Sequence, residues 1–361
     1  MGKPFISELR QLDATYHAAL SMDLSALTAA ISESLRYPLI AVGSGGSLSA
    51  AHFACHLHQL ASGQIARPMT PLDVVSLLGE DGSRRSLLNS AVICFTAGGS
   101  NADINRAFRF LIEAEPRLLT ALCARTGSPL AKVAHKYTYT RVFDFDLPSK
   151  KDGFLATNSL LAFLVIMGRI YGPSIGSEAA LPPDVWGLLQ KCGVDVDAAL
   201  QNLRKTCHQI FERNYLIVLY GTAMASAAWD IESKFTEAAL GSVQMSDFRN
   251  FAHGRHHWLA KRGEQSGVIA FASDRDIEVA KKTVGLLPSS IPSAVFHHPG
   301  NAVSGAIGAV LTGFLSALLP KSWVFSTSFS SGKPAGSEQT VPCVVTSRAQ
   351  RCRSVAHPRN L

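Results

Sequence analysis

The chain has 361 residues, of which 47% are hydrophobic and 17% charged, and carries a net charge of +7. That length supports two ordinary domains or one large one with a sizeable core, and the composition is that of a globular protein. Much of the positive excess is terminal, because Arg348, Arg351, Arg353 and Arg359 crowd the last 14 residues. The remaining body is only mildly basic and has no basic stripe interleaved with aromatics. Nucleic-acid binding is therefore not expected, and an anionic small ligand fits better.

Seven cysteines are scattered without a CxxC pair. An odd, dispersed set points to reduced thiols and a cytoplasmic protein. The N-terminus lacks the apolar core of a signal peptide, and Ile6 breaks the myristoylation pattern. The uncharged run between His298 and Lys321 is about long enough to span a bilayer. Its glycines, small residues and Asn301 suit a close-packed helix in a core instead, so no membrane is expected.

Taken in order, Ser7 to Leu35 has helical apolar spacing and reads as one or two leading helices. Pro38 to Val42 is a short apolar strand, followed by the Gly/Ser turn Gly43 to Ser49 and a helix from Ala50 to Ser62. Ser90 to Phe95 is a second strand, ending in Thr96-Ala97-Gly98-Gly99-Ser100-Asn101 and leading into a helix from Asp103 to Glu115. Strands at Leu118 to Ala124 and Arg141 to Leu147, then an apolar helix from Gly153 to Tyr171, close the unit.

The second half repeats this order. Tyr215 to Tyr220 is a buried strand, and Gly221-Thr222 suits a tight turn into a helix whose first amides are free to bind an anion. The helix is expected from Ala223 to Leu240. A strand at Gly267 to Ala272, a helix at Asp276 to Gly285, a strand at Ala294 to His297 and an apolar helix from Asn301 to Leu319 follow. Alternating strands and helices mean an α/β fold: two three-layer units with parallel sheets, related by pseudo-twofold symmetry, with ligands at the carboxyl ends of the strands. The expected limits are N-terminal helices over 1–34, a first unit over 35–190, a second over 191–325 and a flexible basic tail over 326–361.

The turn Gly43 to Ser49 is neither GxGxxG nor a P-loop. It offers hydroxyls and amides at a helix N-terminus, where phosphate oxygens can be held without a lysine. Thr96, Ser100 and Asn101 offer the same at the second turn, although Ser, Asn and Gly also simply cap helices. In the second half Asp230, Lys234 and Glu237 share one helical face, a pattern that is more often simply the solvated face of a helix. Beyond them His253, Arg255, His256 and His257 concentrate titratable groups. No Cys or carboxylate sits at ligand spacing among them, so no metal is expected.

The turns VGSGGS and FTAGGSN, the segment DGFLATNSLLAF, and ESKFTEA followed by FAHG together resemble the sugar isomerase (SIS) domain family in its double-domain form. The pattern is similar to that of the isomerase half of glucosamine-6-phosphate synthase and of related deglycases and deaminases. The resemblance covers roughly Leu35 to Leu319. Lys234-Phe-Thr-Glu237 matches that family's Lys-x-x-Glu, and His253-Gly254 begins sixteen residues after Glu237, in the family's register.

The resemblance implies two SIS-type units acting on a sugar phosphate or related anionic sugar, without metal or cofactor. It implies that Glu237 shuttles a proton between neighbouring carbons, that Lys234 supports the enediol charge or an imine nitrogen, and that His253 opens the sugar ring at a neighbouring subunit's site in a homodimer. Ser44, Ser47, Thr96 and Asn101 fall on phosphate-holding positions, with Thr157 as a further hydroxyl. The sequence departs from the family at Gly98, Ser100 and Arg255, where a serine, a glutamate and a proline are usual; Ala252 replaces the family's lysine. Lys333 is the last lysine, so the tail lysine of the synthases has no counterpart. The leading expectation is an isomerase, deglycase or deaminase that does not use glutamine. The alternative is a non-catalytic module that senses a phosphosugar.

Overall fold

The computed structural model describes residues 3–78, 84–176, 181–191 and 207–316. Residues 192–206, where the two expected halves join, and the basic tail from 326 lie outside the described residues.

Leading helices α1 (Phe5–Leu9), α2 (Leu12–Ser21) and α3 (Ser25–Ser34) precede two parallel sheets. The first half runs β1 (Leu39–Val42), α4 (Gly46–Ser62), β2 (Ala66–Met69), α5 (Pro71–Leu78), α6 (Arg84–Leu88), β3 (Ala91–Thr96), α7 (Ala102–Ala114), β4 (Leu118–Cys123), α8 (Pro129–Ala134), β5 (Thr140–Asp144) and α9 (Asn158–Tyr171). After α10 (Val185–Lys191) the second half runs β6 (Tyr215–Tyr220), α11 (Ala225–Glu237), β7 (Ser242–Asp247), α12 (His257–Arg262), β8 (Ser266–Ala272), α13 (Ile277–Gly285), β9 (Ser293–His297) and α14 (Ser304–Ser316).

The strand orders are β2-β1-β3-β4-β5 and β7-β6-β8-β9. The same order in both halves, second strand outermost and first strand next to third, bears out the repeat and the α/β architecture. In each sheet the chain reverses direction of travel between the first and third strands. Open parallel sheets bind ligands at the carboxyl ends on either side of that switch point.

Alternate residues of the first sheet face opposite layers. Ile40, Val42, Val92, Cys94, Leu119 and Ala121 pack on α5 to α8, and Phe95 faces the other way, edge-on to Phe163 of α9 at 5.5 Å. Every residue of α9 from Leu160 to Met167 is fully buried. Burying each such aliphatic side chain is worth about 1.5–3 kcal/mol, which is why this stretch has no polar face. Helix α4 packs on α9 and on α11, and α11 packs on α14. Among the described residues no helix is long and apolar enough to cross a membrane, and α14 is a buried helix as expected.

Two edge strands and several boundaries differ from the sequence reading. β2 (ARPM) and β7 (SVQMSD) are polar and half-exposed because each pairs on one side only; a proline is tolerated at such an edge. α9 starts at Asn158, not Gly153, because the Asp152 carboxylate accepts the amides of Thr157, Asn158 and Ser159 and stops the helix there. α11 ends at Glu237, not Leu240. The amide of Leu240 reaches Phe235 O and that of Ala239 reaches Thr236 O, a Schellman end with Ala239 at φ 54°.

Candidate active site

The two halves meet where α4 crosses α11. Ser226 Oγ on α11 donates to Ser49 O on α4 at 2.8 Å in a buried bond. The His52 ring stacks on Trp229 at 4.8 Å, and burial pulls its pKa down to about 4, so it is neutral at pH 7. A cavity of about 240 Å³ opens along this crossing, lined by Gly45, Leu48 and Ser49 from the first half and Trp229, Glu232, Ser233, Thr236 and Glu237 from the second.

Gly45 caps α4 at φ 55°, a left-handed position suited to glycine. At Gly46 a Cβ would come 2.4 Å from Ala156 Cβ, so only glycine lets the turn lie against the segment leading into α9. The turn is thereby fixed with the N-terminus of a 17-residue helix open beside the cavity. A Cβ at Gly45 would lie 3.6 Å from Glu237 Oε1, so the carboxylate from the second half sits against the glycine turn of the first.

Ser44 and Ser47 flank Gly45, and neither hydroxyl has a protein partner among the described residues. Ser49 is 1% exposed and its Oγ has no hydrogen-bond partner among the described residues, although it borders the cavity. An unpaired buried hydroxyl is uncommon and costs about 1–3 kcal/mol unless a ligand or water meets it.

The second turn is satisfied internally. Thr96 Oγ1 accepts from the Gly99 amide at 3.0 Å, and Asn101 Oδ1 caps α7 by accepting from the amides of Asp103 and Ile104. Gly98 lies beside the exposed Ser100, and Thr157 is fully buried with its hydroxyl on Leu155 O at 3.0 Å. None of these five residues lines the cavity.

Of the three expected catalytic groups, one reaches the cavity. Glu237 lines it. Lys234 is 2% exposed, bonded to Asp230 Oδ1, with its ammonium 4.4 Å from the centre of the Phe314 ring, between α11 and α14. His253 is exposed on the segment after β7 and does not line the cavity; Arg255 donates to Met245 O at 3.0 Å, back onto β7.

The turn after β6 differs from its expected role. A Cβ at Gly221 would fall 2.0 Å from Asp276 Oδ2, itself held by the Ser273 hydroxyl at 2.7 Å. The place that an anion would take in the second half is filled by the chain's own carboxylate. The anion-type turn that remains open is the first half's.

Ser49, Trp229 and Ser233 were not singled out in the sequence. Ser233 Oγ donates to Glu237 Oε1 at 2.5 Å, and the four-residue spacing in ESKFTE carried that signal. Nothing in the sequence alone tells which face of α4 would border a cavity.

No protein-family model and no curated protein sequence matches the chain. Solved structures do. The tagatose-6-phosphate ketose/aldose isomerase from Escherichia coli aligns at TM-score 0.65 and 14% identity over 88% of this chain and 95% of that one. The C-terminal domain of glucosamine-fructose-6-phosphate aminotransferase from Francisella tularensis aligns at TM-score 0.65 and 10% identity, covering 87% and 95%. The glucosamine-6-phosphate deaminase from Thermotoga maritima aligns at TM-score 0.60 and 13% identity, covering 87% and 94%. The fold is the double SIS fold. At these identities the likeness concerns the fold, and function rests on the site.

Proposed function

We propose that the cavity between α4 and α11 binds an anionic sugar, in the first instance a sugar phosphate, and that Glu237 moves a proton between its neighbouring carbons. The observation that carries this reading is the approach of the Glu237 carboxylate to the Gly45 turn, with Oε1 3.6 Å from the Cβ position there. A base is thus set beside a helix N-terminus able to hold the ligand's anion. The unpaired hydroxyls of Ser44, Ser47 and Ser49 add donors.

The chemistry is balanced without a co-reactant for isomerisation. Glu237 takes the proton from the hydroxyl-bearing carbon next to the carbonyl, an enediol forms, the proton returns to the former carbonyl carbon, and the hydroxyl proton passes from the one oxygen to the other. With an amine on the carbon that loses the proton the intermediate is an enolamine. The proton returned to the former carbonyl carbon turns it into an imine, and water adds to the imine carbon and expels the amine, which is the deaminase or deglycase variant. The solved structures of like fold named as a ketose/aldose isomerase and a deaminase support this class. The exposed position of His253 suits ring opening at a second copy's site, which makes the working unit a homodimer; an active monomer in gel filtration at assay concentration would overturn that part.

A second reading is favoured by one observation: Lys234 is committed to Asp230 and is not presented to the cavity. In that reading the chain binds a phosphosugar without turning it over. One experiment separates the two. Native chain and Glu237→Gln are screened by thermal shift and for turnover against sugar phosphates, amino-sugar phosphates and fructosamine phosphates. A ligand at about a hundredfold its Kd stabilises by about 2.7 kcal/mol. A compound that the native chain consumes and the variant only binds supports the enzyme. Equal binding without turnover in both makes the chain a sensor.

A further inference from the structure

Both carboxylates bordering the cavity are tied by a hydroxyl one turn away on α11. Ser233 Oγ donates to Glu237 Oε1 at 2.5 Å, and Thr236 Oγ1 donates to Glu232 Oε1 at 3.2 Å. The first bond differs from those that serines make at helix ends elsewhere among the described residues. Ser21, Ser62, Ser90 and Ser316, all in or just beyond a helix, donate back to the carbonyl four residues earlier. That is the ordinary local bond of a helical serine. Ser233 instead donates forward, to a side chain.

We propose that Ser233 is a positioning residue for proton transfer, fixing the Glu237 carboxylate so that Oε1 faces the Gly45 turn and Oε2 is left to carry the proton. The inference rests on the functional reading above. Glu237 is the last residue of α11, is exposed, and has no other hydrogen-bond partner among the described residues. A glutamate there has three side-chain torsions to restrain, at about 1.5–2 kcal/mol in lost rotamer freedom. Proton transfer tolerates a misplacement of only about 0.5 Å, so an untethered carboxylate spends most of its time unproductively. A hydroxyl can hold one oxygen without competing for the proton, because it donates to an oxygen that is not the acting base.

The test is deuterium wash-in to the carbon next to the carbonyl, read by mass spectrometry. Full-length native chain, S233A, S233T, S233V and E237Q are incubated in D2O with tagatose-6-phosphate, fructose-6-phosphate and glucosamine-6-phosphate. The expected result is a fall in kcat of about tenfold in S233A with KM changed less than twofold, recovery of most of the rate in S233T, and melting temperatures alike. S233T and S233V are equal in size and differ in the hydroxyl, so their contrast decides the matter even where S233A folds poorly. Native rates in S233A or S233V beside a silent E237Q overturn the role of Ser233 and leave the functional reading standing. A KM effect as large as the kcat effect, or no recovery in S233T, overturns it likewise. Exchange by E237Q at the native rate, or none by the native chain, overturns the functional reading and this inference with it.

Discussion

The ammonium of Lys234 closes on the carboxylate of Asp230, one turn earlier on α11, and both are sealed from solvent against α14. Burial raises Asp230 from its ordinary value of 3.8 to about 6, against the opposing pull of Lys234. The folded chain therefore holds this proton more tightly than the unfolded one. Its contribution is present in full below pH 4 and is lost as pH rises to about 6. Asp230→Asn keeps the shape and removes the titration. Its melting temperature relative to the native chain is expected to rise from pH 4 to pH 6; a constant difference would show that Asp230 stays ionised throughout. Lys234→Met leaves the carboxylate buried and unpaired and should cost about 3–5 kcal/mol at pH 7.

His298, just after β9, is 1% exposed and neither ring nitrogen has a partner among the described residues. Its ring lies parallel to that of Phe271, 6.1 Å between centres, and burial pushes its pKa down to about 3. Phe is close in shape and carries no polar atom. His298→Phe is expected to stabilise by about 1 kcal/mol or more at pH 7, since two unpaired buried polar atoms are removed. The folded pKa lies below the unfolded 6.5, so stability is lost as pH falls through that window, and the advantage of the variant should widen toward pH 4.5. Thermal melts at the two pH values check both points. A loss at pH 7 would mean that the nitrogens are hydrogen-bonded in solution.

Much of this fold can be read along the chain because its central strands are buried on both faces. Runs such as Ala91–Thr96, Tyr215–Tyr220 and Ser266–Ala272 are continuous blocks of buried residues or nearly so, each ending in a turn. β2 and β7 were not legible, since an edge strand needs no apolar run. The fate of the charged face of α11 was also hidden. Asp230, Lys234 and Glu237 share a face by spacing, yet the first two turn under α14 and only the third borders the cavity. What divides them is the position of α14, some seventy residues further on. In the same way Asn101 and Thr157 carry the right chemistry for a ligand and spend it on their own backbone.

The end of α11 carries a strained residue two positions after Glu237. Ala239 sits at φ 54° in the position that glycine usually takes after a helix. A left-handed conformation costs a residue with a Cβ about 1–2 kcal/mol. Ala239→Gly should therefore raise stability by about 1 kcal/mol, read as a shift of the urea midpoint with an unchanged slope. A destabilised variant would show that the looser unfolded chain outweighs the relief.

The open turn of the first half and the self-satisfied second turn make opposite predictions for inorganic phosphate, titrated by calorimetry. Ser44 and Ser47 have no protein partner among the described residues, so their hydroxyls are available to an anion at the N-terminus of α4. A hydrogen bond to a charged group is worth about 1.5–3 kcal/mol, and Ser44→Ala with Ser47→Ala should weaken phosphate at least tenfold without changing stability. Asn101 spends its side-chain oxygen on two amides of α7. Asn101→Ala should cost about 1 kcal/mol of stability through the lost cap and leave phosphate affinity as it was. The reverse pattern, with affinity lost in Asn101→Ala and kept in the double serine variant, would move the anion from the turn after β1 to the turn after β3. The base would then no longer stand beside the ligand's anion at Gly45, and the assignment of Glu237 would need a different sugar orientation to survive.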